Sequence, residues 1–91
     1  MNADQAAKLS AKSIKKKAET LADKFCSALE KRPWGGDLSI SITRNDPHLN
    51  DYPDTVWHQV LKEFQARGYQ VTECSEGNVA QISWETAYGK L

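Results

Sequence analysis

The first third of the chain carries one long helical pattern, and this pattern limits how the rest of the chain can fold. Apolar side chains recur at alternating spacings of four and three residues, at Ala7, Ala11, Ile14, Ala18, Leu21, Phe25 and Ala28. Such spacing puts all of them on one face of an α-helix. Pro33, followed by Gly35 and Gly36, ends the pattern. We predict a single helix from residue 3 to about residue 31.

This helix is longer than the remaining chain can cover. A helix of about 28 residues is roughly 42 Å long, whereas a strand of six residues spans roughly 20 Å. The first three or four turns must therefore fray, project into solvent, or pack against another molecule. Because alanine lets two helix backbones approach closely, we predict homo-oligomerisation or protein binding through Ala7, Ala11 and Ile14. The alternative is a frayed end with no binding role.

The other elements follow from shorter patterns. Residues 38–43 alternate apolar and hydroxyl side chains, which is typical of a strand with one buried face. Asp51 is predicted to cap a second helix that has Pro53 in its first turn and ends at Gly68. Residues 69–74 and 79–84 are predicted to pair as a hairpin across a short turn.

These elements predict an α+β protein with a single domain over residues 1–91. The order is α-β-α-β-β, with a partly basic helix over 1–32, a βαββ unit over 37–84 and a tail over 85–91. Because the first strand offers one apolar side, both helices are expected on one face of a three-stranded mixed sheet, as a two-layer α/β sandwich. The hydroxyl side chains of the first strand are expected on the open face.

The formal net charge is zero, but the charges are unevenly distributed. Residues 1–32 carry eight Lys and Arg against four Asp and Glu, and residues 33–91 carry four against eight. Four lysines share about one quarter of the circumference of the first helix: Lys8, Lys12, Lys15 and Lys16. A phosphate backbone or another anion can lie along such a strip. Because Glu19 and Asp23 continue the strip, a solvated and partly paired surface is the alternative, and nucleic acid ranks behind protein as the partner.

Several classes of protein are disfavoured by what the sequence lacks. No apolar run approaches the roughly 20 residues of a bilayer crossing, and the first residues lack a leader pattern. We therefore expect a cytoplasmic protein with no membrane partner. Cys26 and Cys74 have neither disulfide nor metal spacing, so two buried, inert thiols are expected. No phosphate-binding or dinucleotide-binding glycine motif occurs, and we expect no cofactor and no metal.

One loop holds residues that can take part in catalysis. Asp46 and His48 can hold a metal or act as a general base, but no nucleophile or oxyanion-hole motif accompanies them. A proline-containing turn with a capping aspartate explains the same residues. We therefore predict that the protein is not an enzyme.

Trp34 stands between Pro33 and Gly35, directly after the first helix. It is either an exposed anchor for a partner, since aromatic side chains are enriched at interfaces, or it folds back to cover the core between helix and strand. Trp57 and Trp84 fit the apolar faces of their elements, and both are predicted to be structural.

The C-terminal half carries Leu61, then Gly68-Tyr69-Gln70-Val71, and finally Gln81-Ile82-Ser83-Trp84. This half resembles a pattern common among small uncharacterised bacteriophage proteins, which have a long charged helix, a strand, a helix ending in Gly-Tyr-x-Val and a hairpin ending in Ile-Ser-Trp. The resemblance implies a phage accessory protein in the host cytoplasm that binds and inhibits a host or defence component. It supplies no functional residues.

Overall fold

The long helix predicted from the first third of the sequence forms without a break. In this computed structural model, which describes residues 1–47 and 49–91, the helix α1 spans Ala3–Lys31. A capping box fixes its start: the Asn2 side chain accepts a hydrogen bond from the backbone N–H of Gln5 at 2.9 Å, and the Gln5 side chain accepts one from Asn2 N–H at 3.0 Å. These contacts satisfy donors that a helix start leaves without partners.

The remaining elements are short. Along the chain they are the strand β1 (Ser39–Thr43), the helix α2 (Asp54–Ala66), the strand β2 (Gln70–Cys74), a 3-10 turn (Ser75–Gly77), the strand β3 (Val79–Ser83) and the helix α3 (Glu85–Tyr88). The protein is thus α+β, as predicted. The single turn of α3 lies in a tail for which the sequence predicted no structure.

The sheet has the order β1-β3-β2, and both pairings are antiparallel. The prediction of a mixed sheet is therefore wrong. That prediction treated β1, α2 and β2 as a βαβ unit and left the strand order open, whereas β3 lies between β1 and β2 and pairs with each of them in the antiparallel sense. The central position suits β3 because its inward residues Ala80 and Ile82 are fully buried, while the inward Val71 of β2 is half-buried.

The helix α2 begins later than predicted. Pro53 is its N-terminal cap residue, without a side-chain hydrogen bond, so the prediction that Asp51 caps this helix is wrong. The preceding loop is held instead by Arg44, whose guanidinium donates to the carbonyl groups of Leu49 and Tyr52. Its Nε also donates to Asp54 Oδ1 at 3.1 Å. A half-buried arginine thus holds the segment for which the sequence predicted an aspartate cap.

The helix α2 ends at a glycine, as predicted. Gly68 has a φ of +92°, and its N–H donates to the carbonyl of Gln65 at 3.0 Å. The N–H of Tyr69 donates to the carbonyl of Phe64 at 3.1 Å, and the rings of these two residues meet edge to face at 5.5 Å. This is a Schellman motif with its apolar contact, and it turns Tyr69 back toward the core.

One apolar core joins the two long helices and the sheet. Its largest fully buried side chains are Trp57, Phe64, Leu49 and Ile82. The helix α1 contributes Ala18 and Leu21 to the same cluster. Because every buried residue of α1 lies from Ala18 onward, the core holds only the second half of this helix.

Candidate functional site

The first part of α1 extends beyond the rest of the molecule. Residues 3–13, here called the projecting segment, are all exposed, and Leu9 keeps 59 % of its surface accessible. The longest dimension of the molecule is 51 Å, against 27 and 25 Å for the other two. The sequence predicted that the first helix is longer than the strands that cover it, and in the structure the N-terminal end of α1 is indeed uncovered.

The predicted contact residues on α1 have two different environments. Ala7 and Ala11 are exposed, and each lies within about 20° of Ala18 around the helix axis. They therefore face the side on which the domain packs, but beyond its end. Ile14 is half-buried and packs against the core, so its side chain is already in part used by the protein's own fold.

The predicted basic strip flanks this uncovered face. Lys8, Lys12, Lys15 and Lys16 are all exposed. In the part of the chain that the structure describes, the three ion pairs use arginine and none uses a lysine. Residues 1–17 carry five lysines against one acid, Asp4, so the positive surplus of residues 1–32 is concentrated in and beside the projecting segment.

A cleft lies at the opposite end of α1. Its volume is about 330 Å³, and it lies between the end of α1, the turn after α2 and the start of α3. We call it the aromatic cleft because Trp34, Tyr69 and Trp84 line it, together with Cys26, Glu30 and Arg67. Of these residues, only Trp34 was predicted to have a functional role, because the others come together only through the fold.

In the aromatic cleft, two rings contact that of Trp84 at steep angles. Trp34 and Trp84 have ring centroids 5.5 Å apart and planes inclined by 72°, and Tyr69 meets Trp84 at 6.3 Å and 84°. Trp34 nevertheless keeps 55 % of its surface exposed. Trp34 thus packs against Trp84 and also remains accessible, and its role as an anchor for a partner stays a prediction.

Polar groups along the cleft are already engaged. The Arg67 guanidinium donates to Asp23 Oδ1 at 2.7 Å and to Cys26 Sγ at 3.5 Å. The hydrogen bond to Asp23 raises the pKa of Arg67 above its ordinary value. Burial raises the pKa of the Tyr69 phenol, and the neighbouring Cys26 and Glu30 act in the same direction, so Tyr69 is a neutral hydrogen-bonding group at neutral pH.

The two surfaces are separate. Ala7 lies 24 residues before the end of α1, which corresponds to about 36 Å along the helix axis. The structure therefore does not bring Trp34 together with Ala7, Ala11 and Ile14, which the sequence grouped as contact residues. Each surface has to be assigned its own role.

The remaining predicted features offer no second site. His48 lies outside the described residues, and within residues 1–47 and 49–91 no three His, Cys, Asp or Glu side chains are grouped as metal ligands. Cys26 is half-buried and Cys74 is exposed, so the prediction of two buried thiols is wrong, most clearly for Cys74 at the end of an edge strand. None of the helices described here combines the length and the apolar character of a membrane-spanning segment.

Comparison with known proteins gives no relative. No protein-family model matches the chain, and neither a curated protein nor a solved structure does. The resemblance to small bacteriophage proteins therefore stays a prediction.

Proposed function

We propose that this protein is a non-enzymatic binding module that docks on a partner protein through the projecting segment of α1. The observation that carries the proposal is the uncovered face of this segment, where Ala7 and Ala11 continue the line of the buried Ala18. A helical face with small apolar residues, flanked by charge, is a common docking element between helices. The domain would then serve to hold and present this helix.

The length of the segment supports a pre-organised binding role. An isolated helix shorter than about 12–15 residues is marginal in water, and the projecting segment has 11 residues. Its helix continues without a break into the half of α1 that the core holds, which removes the cost of nucleation. A segment that is already helical loses less conformational entropy when it binds.

The proposal includes the two-layer arrangement predicted from the sequence, with both long helices on one face of the sheet. The common core of Ala18 and Leu21 from α1 with Ile42 from β1 and Ile82 from β3 supports it. In this arrangement the sheet ends before the helix does. The projecting segment then has no layer beneath it, which is the condition that the proposed docking requires.

Charge favours an acidic partner. The surplus of four positive charges in residues 1–17 would face a like surplus if two projecting segments packed against each other along their alanine faces. Like charges at a helix interface are destabilising. We therefore propose a different protein with an acidic surface as the partner, with a second copy of the chain as the alternative that the experiment must test.

The test is the double variant Ala7→Glu/Ala11→Glu. We expect it to lose at least about tenfold of the partner captured from extracts of the native cell, because charged side chains are excluded from the centre of a packed interface. The variant Gln65→Glu/Ala66→Glu is a matched control, since it adds the same two charges at exposed positions of α2. Both should unfold within about 0.5 kcal/mol of wild type.

Two measurements decide between the outcomes. Equal capture by wild type and by the Ala7→Glu/Ala11→Glu variant would show that the proposed docking is wrong. Sedimentation velocity of the purified protein identifies the partner class: a dimer that Ala7→Glu/Ala11→Glu dissociates and the α2 control does not would replace the acidic partner with a second copy.

Anion binding is the second candidate, because the four exposed lysines of the strip form none of the ion pairs found among the described residues. A nucleic acid held by such lysines is released steeply by salt. Replacing Lys8 and Lys12 with glutamine should lower the slope of log affinity against log salt by about two. Binding that ignores salt would exclude this candidate.

A further inference from the structure

We infer that the aromatic cleft binds an alkylated ammonium ion, such as a trimethylammonium group. Trp34 and Tyr69 both stand nearly perpendicular to Trp84. All three rings line the same cavity. A cavity lined by several aromatic rings set at steep angles is the arrangement that proteins use to recognise quaternary ammonium groups.

The ring geometry suits a cation more than a flat neutral ring. The electron-rich faces of aromatic rings attract a positive charge that lies within about 6 Å of the ring centre. The Trp34 ring already has one cation beside it, because the Arg32 guanidinium carbon is 5.3 Å from its ring centroid. Because Trp84 is inclined by 72° to Trp34 and by 84° to Tyr69, it forms with neither ring a pair of parallel walls between which a flat ligand stacks.

The charges around the cleft also favour a cation. Glu30, a negatively charged residue, is among those that line the cavity. The positive charge of Arg67 is balanced by Asp23, with which it forms an ion pair at 2.7 Å. The groups that face the cavity, taken with Asp23, therefore carry one negative charge in excess, which complements a single positive charge on the ligand.

The size of the cleft limits the ligand to a small group. Its volume of about 330 Å³ is at the lower end of the range of about 300–1,000 Å³ that is typical of small-molecule sites. An alkylammonium group fits this space, on a free small molecule or at the end of a lysine side chain. A methyl-bearing cation also uses the apolar floor formed by Leu29 and Ala87, which an unmethylated ammonium would not.

The experiment follows the indole N–H signals of the three tryptophans by NMR while choline is added to the full-length protein. Trp34 and Trp84 should shift with a common dissociation constant. Trp57 should not, because its ring is 2 % exposed and its Nε1–H donates to the Gly77 carbonyl at 2.9 Å. The neutral isostere 3,3-dimethylbutan-1-ol, which has carbon in place of the charged nitrogen, should bind roughly 3- to 30-fold more weakly.

Two variants assign the effect to the cleft. Trp34→Ala removes an exposed wall and should abolish the shift of Trp84, and Glu30→Gln should weaken choline but leave the isostere unchanged. Glu19→Gln is the control, since it removes the same charge from the exposed surface of α1 outside the cleft. Titration with Nε-trimethyllysine beside choline and unmodified lysine separates a modified side chain from a free small cation as the source of the group.

Two results would overturn the inference. One is equal affinity for choline and for 3,3-dimethylbutan-1-ol, which would make the cleft merely apolar. The other is the absence of shifts at Trp34 and Trp84 in wild type with choline present in large excess. Both leave the proposed docking through the projecting segment untouched, because the two sites lie at opposite ends of α1.

Discussion

Replacement of Gly68 by alanine isolates the energetic contribution of one backbone conformation. Gly68 has a φ of +92°, and a Cβ built there would meet no heavy atom within 4 Å. Steric overlap with neighbours therefore adds nothing, and the cost comes from holding an L-residue at positive φ, which is about 1–2 kcal/mol. For a domain of this size each kcal/mol lowers the melting temperature by about 4–8 °C.

Gly35 provides the matched control for this experiment. A Cβ built at Gly35 likewise meets nothing within 4 Å, and its φ is not positive. Gly35→Ala should therefore be neutral or stabilise the protein by up to about 1 kcal/mol, because it restricts the unfolded chain. Thermal unfolding followed by circular dichroism measures both variants. Equal melting temperatures for the two variants would refute the assignment of Gly68 to a Schellman motif.

Two further predictions concern polar groups. Arg44→Met should lower the free energy of unfolding by about 2–3 kcal/mol in urea denaturation, because the Leu49 and Tyr52 carbonyls lose a charged donor. Arg67→Met breaks an exposed ion pair and should lower it by less than about 1 kcal/mol. A similar loss for both variants would contradict the structural role of Arg44. The pKa of Tyr69 is raised above its ordinary value, which means that the folded state binds the phenolic proton more tightly than the unfolded state. The contribution of the Tyr69 phenol to stability is present below about pH 10 and is lost as the pH rises through the raised pKa. The difference in free energy of unfolding between wild type and Tyr69→Phe should therefore shrink in strong alkali. A difference that stays constant with pH would exclude this contribution.

The sequence predicted the elements whose signals are local. The spacing from Ala7 to Ala28 predicted α1 to its observed ends, and the alternation of residues 38–43 predicted β1. Gly68 marked the end of α2. The start of α2 was missed because Arg44, ten residues before Asp54, holds the loop, and no local pattern reports such a contact. The mixed sheet was wrong for the same reason, since strand order depends on which residues are buried in the finished core.

One of the two candidate surfaces could be predicted from local sequence patterns, and the other could not. The projecting segment follows from counting residues, because the length of a helix and of a strand can be read from the sequence. The aromatic cleft requires Trp34, Tyr69 and Trp84 to meet, and these residues are far apart in the chain. A signal for Tyr69 did exist, because a large apolar residue directly after a helix-ending glycine is expected to fold back. Nothing local assigned Trp84 to a surface instead of the core.

The position of β3 between the other two strands has a consequence for biosynthesis. Of the three strands in residues 1–47 and 49–91, β3 is the last to leave the ribosome, and both β1 and β2 bond to it and not to each other. Ser39 pairs with Ser83, so a loop of roughly forty residues has to close when β1 joins the sheet. A nascent chain halted before residue 79 would carry two complete helices and no sheet, with the uncharged alternating residues of β1 open to other chains.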